Sequence, residues 1–224
     1  LNRDTMTRVW QLDVNGEPST SRIEQLCLAH TYGSGGDESC ENTVRAVENL
    51  LFGQTVDHYA ALSMDAVPIL ADLVGGVPVT IDTDMTAVDP RLLEGETVTL
   101  EGELALSYVR ARQIVSDGTN QSRMARQERF LRSAWEAWKE KTASGDAVEL
   151  GTDALVSLGE RLRSDCTVQK LSRFLERAEQ CELTVLPAPA GEAKISDENI
   201  AEFYVDDDAL EQTVLKLFYR EEIS

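Results

Sequence analysis

Positive charge is what this sequence has least of. Lys and Arg number 21 against 40 Asp and Glu, a formal net charge of -19. A surface that acidic repels nucleic-acid phosphates and anionic bilayers, which argues against DNA binding through the bulk surface. A helix-turn-helix with a basic face is also missing, so a DNA-binding regulator is disfavoured on a second ground. No run approaches the roughly 18 apolar residues of a membrane helix. No secretory leader is visible. Leu1 reads as the interior of a structural unit, so an anchor or signal is expected upstream of it.

Metal ligands and nucleophiles are equally scarce. The only histidines are His30 and His58, and the four cysteines (Cys27, Cys40, Cys166, Cys181) form no CxxC pair. Zinc spacing is therefore absent. The pairs Cys27–Cys40 and Cys166–Cys181 could each close a short loop; the other reading is four buried thiols. His30 follows Cys27 by three residues, but no third residue orients the pair, which favours a buried Cys beside a polar-face His over a nucleophile. Gly33-Ser34-Gly35 lacks the strand and helix of a hydrolase elbow. There is no Walker A motif, no internal repeat and no low-complexity segment.

What is present is a chain of 224 residues, 42% hydrophobic, enough for one globular domain with its own core. Helical and extended patterns alternate, which predicts an α/β layered fold. Thr7–Val14 reads as a strand or irregular loop, Pro18–Ser21 as loop, and Gly33–Gly36 as loop. Ser39 is the expected N-cap of a helix presenting Val44, Val47, Leu50 and Leu51 and ending at Gly53. A strand is expected over His58–Met64, and a short apolar helix from Asp65 to Leu73, stopped by Gly75-Gly76. Val77–Ile81 is β-branched and strand-like. Thr83–Thr97 reads as a loop or small hairpin. Helices are predicted over Glu101–Arg112, Arg123–Thr142, Thr152–Arg163 and Val168–Glu179, with a loop over Ile114–Ser122. A strand over Leu183–Leu186, a loop over Pro187–Glu192, a strand over Phe203–Val205 and a helix from Asp206 to Tyr219 complete the chain. Trp135 and Trp138, three apart on the long helix, suit core packing better than a sugar platform.

One stretch reverses the charge balance. Between Arg110 and Arg132 lie six arginines (Arg110, Arg112, Arg123, Arg126, Arg129, Arg132), two acids (Asp117, Glu128) and no lysine. Arg110 and Arg112 end one predicted helix; Arg123 and Arg126 open the next, where free N–H groups and the positive dipole end are found. Helix N-termini and guanidinium forks both suit phosphate oxygens. For any one arginine a surface ion pair is the simpler reading. For an all-arginine cluster on so acidic a chain, phosphate binding is the better one.

Those residues carry a resemblance. Leu100–Gln127, LEGELALSYVRARQIVSDGTNQSRMARQ, resembles the YVR-x-R and GDxxR-x-x-RQ segments of the LytR–CpsA–Psr family. Asn2-Arg3-Asp4-Thr5 is similar to its PRDT loop, Gln25–Gly33 (QLCLAHTYG) to its K-I-N-x-A-Y-x-Y-G segment, and Met64–Val79 to its helix, double-glycine and strand element. The closing helix from Asp206 agrees as well, so the likeness spans nearly the whole chain.

The resemblance implies a three-layer α/β/α sandwich with a central mixed sheet. It also implies one catalytic domain over residues 1–224 whose first strands and membrane anchor lie upstream, on the outer face of the bacterial cytoplasmic membrane. It implies a phosphotransferase that moves a glycan phosphate, such as a teichoic acid or capsule polymer, from a polyprenyl-pyrophosphate carrier to peptidoglycan. Arg3, Arg110, Arg112, Arg123, Arg126, Gln127 and Asn120 match pyrophosphate-binding positions. Arg110, Arg112 and Asp4 are the catalytic candidates, Asp4 either assisting the acceptor hydroxyl or orienting Arg3. Mg²⁺ is the implied cofactor, with ligands upstream of Leu1 and none within the chain. An apolar cleft near the helix at Val67–Val74 is expected for the lipid tail. Export would favour at least one disulfide, Cys27–Cys40 first. The departures are Asn2 for the loop's proline, Gln25 for a lysine, Cys27 for an asparagine and Asn120 for an aspartate. They keep a second reading open, a non-catalytic receptor for lipid-linked or phosphorylated glycans.

Overall fold

A strand buried on one face alternates, and β1 and β4 below both do so. Met6–Leu12 buries Thr7 and Val9 while Arg8 faces solvent; Val77–Thr80 buries Val77 and Val79 while Pro78 and Thr80 are exposed. The structure, a computed structural model, describes residues 1–111, 120–143, 147–179 and 181–219. Its elements in chain order are β1 (Met6–Leu12), β2 (Pro18–Gln25), α1 (Leu28–Thr31), α2 (Asp37–Leu50), β3 (Ala60–Leu62), α3 (Ala66–Leu73), β4 (Val77–Thr80), β5 (Thr97–Leu100), α4 (Gly102–Arg110), α5 (Asn120–Ala143), α6 (Ala147–Leu158), a 3-10 turn (Gly159–Arg161), β6 (Leu162–Ser164), α7 (Val168–Glu179), β7 (Gly191–Ile195), β8 (Ala201–Val205) and α8 (Asp207–Phe218). They fall into two compact units, Leu1–Tyr59 with Leu186–Ser224, and Ala60–Val185.

In the first unit β1 and β2 form an antiparallel hairpin from Met6↔Gln25 to Leu12↔Pro18, with a register irregularity at Gln11/Leu12. Its turn is closed by Asp13, whose Oδ1 accepts from the amides of Asn15 (2.8 Å) and Glu17 (3.0 Å). A second hairpin, β7–β8, meets the first through a parallel bridge between Thr5 and Phe203, the Phe203 amide donating to Asp4 O at 2.9 Å. Strands of both directions therefore run side by side here. Val9, Leu26, Ala29, Ala46, Leu50 and Leu210 make the core beneath them. Asn42, fully buried on α2, donates from Nδ2 to Trp10 O and Ala29 O, both at 2.8 Å. One neutral amide thus ties β1 and α1 to α2. The N-cap of α2 is Gly36, not Ser39; Ser39 lies inside the first turn, where its Oγ accepts from the Gly35 amide at 2.9 Å.

In the second unit β4 and β5 pair antiparallel, Val77↔Leu100 to Thr80↔Thr97. Val77, Val79, Ile81, Leu100, Leu104, Tyr108 and Phe130 lie in one buried cluster, and Val67 of α3 and Val74 just after it pack onto it. Each such side chain removed from water contributes about 1.5–3 kcal/mol. Gly76 has φ 91°, and a Cβ there would lie 2.3 Å from the Thr99 methyl, so only glycine fits. β3 pairs with β6.

The α/β class and most helices match expectation. Several segments do not. Pro18–Gln25 is a strand although its first half was expected as loop: PSTSRIEQ is mostly exposed, so no apolar alternation marks it. The helix expected over Thr152–Arg163 runs instead over Ala147–Leu158. Gly159, at φ 48°, starts the 3-10 turn that leads into β6. Leu183–Leu186 forms no strand, and the expected loop after it yields to β7 at Gly191. No disulfide joins the four cysteines: the Cys27 thiol accepts from Arg3, and Cys40 is buried on α2.

Candidate functional site

The arginine stretch occupies the junction of α4 and α5. The last carbonyls of α4 have no partner within the helix and carry its negative dipole end. α5 supplies those partners from consecutive positions. Gln127 Nε2 donates to Val109 O at 3.3 Å, and Arg126 Nη2 donates to Ala111 O. Arg126 is only 3% exposed, so its guanidinium acts as a clasp between the two helices. Arg123, one turn earlier, is half-buried and donates from Nη2 to Asn120 Oδ1 at 2.5 Å. Arg110 is exposed on the last turn of α4, and no described carboxylate pairs with it.

Further along α5 the arginines are matched by acids. Arg129 donates to the Tyr108 hydroxyl (3.3 Å) and to Asp82 Oδ2 (2.6 Å). Burial works against the Arg129 charge, yet Tyr108 and Asp82 outweigh it and hold the guanidinium above its ordinary pKa. Burial likewise pushes the Tyr108 hydroxyl up. Arg132 binds Glu128 Oε1 through Nε (3.0 Å) and Nη2 (2.9 Å), and Val185 O at 3.2 Å.

The first unit holds the rest of the candidates. Asn2–Thr5 is pinned on every side: the Thr5 amide donates to Asn2 O (3.1 Å), Leu26 to Thr5 O (2.8 Å) and Cys27 to Arg3 O (3.0 Å). Arg3 Nε lies 3.3 Å from Asp4 Oδ1, and Arg3 Nη2 donates to Cys27 Sγ at 3.3 Å. Gln25 Nε2 donates to Asp4 Oδ1 (3.4 Å) and Ala201 O (2.5 Å). Asp4 is thus engaged as a partner for Arg3, and Cys27 is a second acceptor for the same guanidinium. The sequence leaves Cys27 either bridged to Cys40 or a free thiol, and neither reading includes the contact with Arg3. The nearness of Cys27 in chain to the Arg3 loop's pairing segment was the one available sign.

Of the expected residues, Arg110, Asn120, Arg123, Arg126 and Gln127 share the α4–α5 junction, Arg3 and Asp4 belong to the first unit, and Arg112 lies outside the described residues. The described carboxylates beside these arginines do not suit Mg²⁺, which needs oxygen ligands free to turn to it. Asp4 is held by Arg3, Asp82 by Arg129 and Glu128 by Arg132. Val67 of α3 and Val74 after it pack onto the core, and a cavity lies on α5. It measures about 350 Å³ and is lined by Arg132, Glu136 and Glu140 besides Pro78 and Leu183.

Comparison with known proteins gives this arrangement a context. The model of the LytR_cpsA_psr family matches residues 1–217. Among solved structures, TagV of B. subtilis is similar at 20% identity with a TM-score of 0.68, over 96% of this chain and 80% of TagV. TagT bound to LI-WTA is similar at 21% identity and TM-score 0.68, over 96% of this chain and 75% of TagT. The Lin1025 protein from Listeria innocua is similar at 23% identity and TM-score 0.63, over 86% and 79%. At these identities the likeness establishes the fold. Among curated proteins none matches.

Proposed function

The chain belongs to the LytR_cpsA_psr family, and from that premise we propose that it is a cell-wall glycopolymer transferase. Its reaction in this reading passes a phospho-glycan from a polyprenyl-pyrophosphate carrier to a peptidoglycan hydroxyl, outside the bacterial cytoplasmic membrane. The observation that carries it is the α4–α5 junction, where Arg110 and Arg123 stand at a helix end and a helix start. TagT, with the same fold, has been solved with LI-WTA, a wall teichoic acid ligand.

Phosphoryl transfer asks a protein mainly for position and charge neutralisation. Arg123 and the first amides of α5 would meet the same phosphate from two directions, side chain and backbone. Arg110 would neutralise the neighbouring phosphate. Arg126 and Gln127 contribute by fixing the end of α4 and hence the place of Arg110. Mg²⁺ enters this proposal through the family alone, and none of these steps is routed through it.

A second reading is supported by the same geometry. Asp4, Asp82 and Glu128 are each held by an arginine, so none of these three is an unengaged base. A receptor that binds lipid-linked or phosphorylated glycans without turning them over fits that as well. The test separates the two. The protein is incubated with radiolabelled lipid-pyrophosphate glycan, peptidoglycan and Mg²⁺, and both bound lipid and label fixed to the wall are counted. Label on the wall that disappears in Arg123→Lys supports transfer. Binding without wall label supports the receptor, and no binding overturns both.

A further inference from the structure

On a chain with 40 acids and 21 basic residues, α7 is an exception. Lys170, Arg173, Phe174 and Arg177 lie on one stripe of it, at i, i+3, i+4 and i+7. All four are exposed, Phe174 by 68%. No carboxylate among the described residues pairs with the three cations. The helix is otherwise anchored, since α6 packs along it and Leu171 is half-buried.

We infer that this face of α7 docks on an anionic lipid surface. The occupant follows from the combination. Cations alone would suit any polyanion, but Phe174 among them is an apolar wedge flanked by basic side chains whose stems can lie along a bilayer. The net negative charge of the whole protein does not forbid this. At physiological salt charges further than about 8 Å are screened, so the bilayer senses the local stripe. The helix lies on the surface and does not cross it: no described helix is long and apolar enough to span a membrane. The inference stands on α7 alone and survives if the transferase reading fails.

The test uses sedimentation with two kinds of vesicle, phosphatidylcholine alone and an equal mixture with phosphatidylglycerol. The protein is expected to pellet with the mixed vesicles only and to be released by salt. Near an anionic surface each cation is worth about fivefold in partitioning. The triple variant Lys170→Glu/Arg173→Glu/Arg177→Glu should therefore lose roughly a hundredfold or more. Phe174→Ser should lose about tenfold. Circular dichroism confirms that both variants remain folded, and Phe174→Trp supplies a readout that needs no loss of function. Its fluorescence should be quenched by brominated mixed vesicles beyond the parent's. Failure to pellet, or pelleting indifferent to both variants, overturns the proposal. So does soluble polyphosphate binding as tightly as vesicles with Phe174→Ser silent, which would make the stripe a polyanion site.

Discussion

The two ends of the arginine stretch on α5 are built from the same residue and used differently. At its start, Arg126 is buried against a backbone carbonyl and Arg123 stands in the first turn; three to nine positions on, Arg129 and Arg132 are neutralised by Asp82 and Glu128. The lesson is that charge density locates a region and the partner of each guanidinium decides its work. An arginine bound to a carboxylate has little left for a phosphate. An arginine bound to a main-chain carbonyl holds structure. Arg110, with which no described carboxylate pairs, is the one most open to a ligand.

The strongest way to break this comparison is to remove a side chain from each end. Arg126→Met leaves Ala111 O without its donor and deletes a buried charge-assisted bond, at a cost of about 3 kcal/mol in urea unfolding. Arg132→Met removes a half-exposed i,i+4 ion pair and should change stability by less than about 0.5 kcal/mol. Equal losses would show that the two ends do the same job.

Binding sharpens the contrast. Arg123→Lys keeps the charge and loses the fork, so lipid-pyrophosphate affinity by calorimetry should fall with the loss of about 1.5–3 kcal/mol, roughly 10- to 150-fold. Arg129→Lys should bind like the parent, because Arg129 is committed to Asp82 and Tyr108. The reverse pattern would move the site along the helix.

How far the sequence foretold this depended on whether a feature was local. Asp206 was readable as the cap of α8, and its Oδ1 accepts from the Ala209 amide at 2.8 Å. α4 and α5 were legible because their apolar spacing has helical period and the motif places their ends. β2 was not, since a strand exposed on most of its residues leaves no burial pattern. The division of labour among the arginines was not legible either. Arg123 and Arg126 share a helix face by spacing, and only packing against α4 turns one of them into the buried clasp. Cys27 and Cys40 were close enough in sequence to suggest a bridge, but the fold commits the first thiol to Arg3.

A smaller effect is expected where both partners are partly exposed. Asp82→Asn removes the charge opposite Arg129 and leaves the Tyr108 contact in place. Unfolding should shift by less than about 1 kcal/mol, with affinity for lipid pyrophosphate unchanged. The Tyr108 hydroxyl has its own signature. Its folded pKa is raised, so the unfolded chain ionises first on alkaline titration, and stability is full below the ordinary tyrosine pKa and declines above it. Tyr108→Phe should flatten that alkaline decline, which a series of unfolding curves on both sides of pH 10 would show.

The smallest effect belongs to an arginine outside the cluster, and it calibrates the rest. Arg91 forks onto Asp89, Nε to Oδ1 at 2.8 Å and Nη2 to Oδ2 at 2.9 Å, on the surface loop between β4 and β5. The Arg91 side chain first, and its backbone amide second, lower the Asp89 carboxyl from 3.8 to about 2. A depressed carboxyl contributes stability above its unfolded pKa and loses it as pH falls through the folded one, so the window here runs from about 4 down to about 2. A carboxyl-carbon NMR titration should find Asp89 still ionised at pH 3 in the parent. In Arg91→Ala it should titrate closer to the ordinary value, still somewhat low because the amide bond remains. The fork is on the surface and screened, so the change in global stability should be small beside that of Arg126→Met, and lipid-pyrophosphate affinity should not respond. If this solvated fork did shift stability as Arg126→Met is expected to, an arginine's neighbours rather than its burial would set its energetic weight. The contrast between the two ends of α5 would then need another cause.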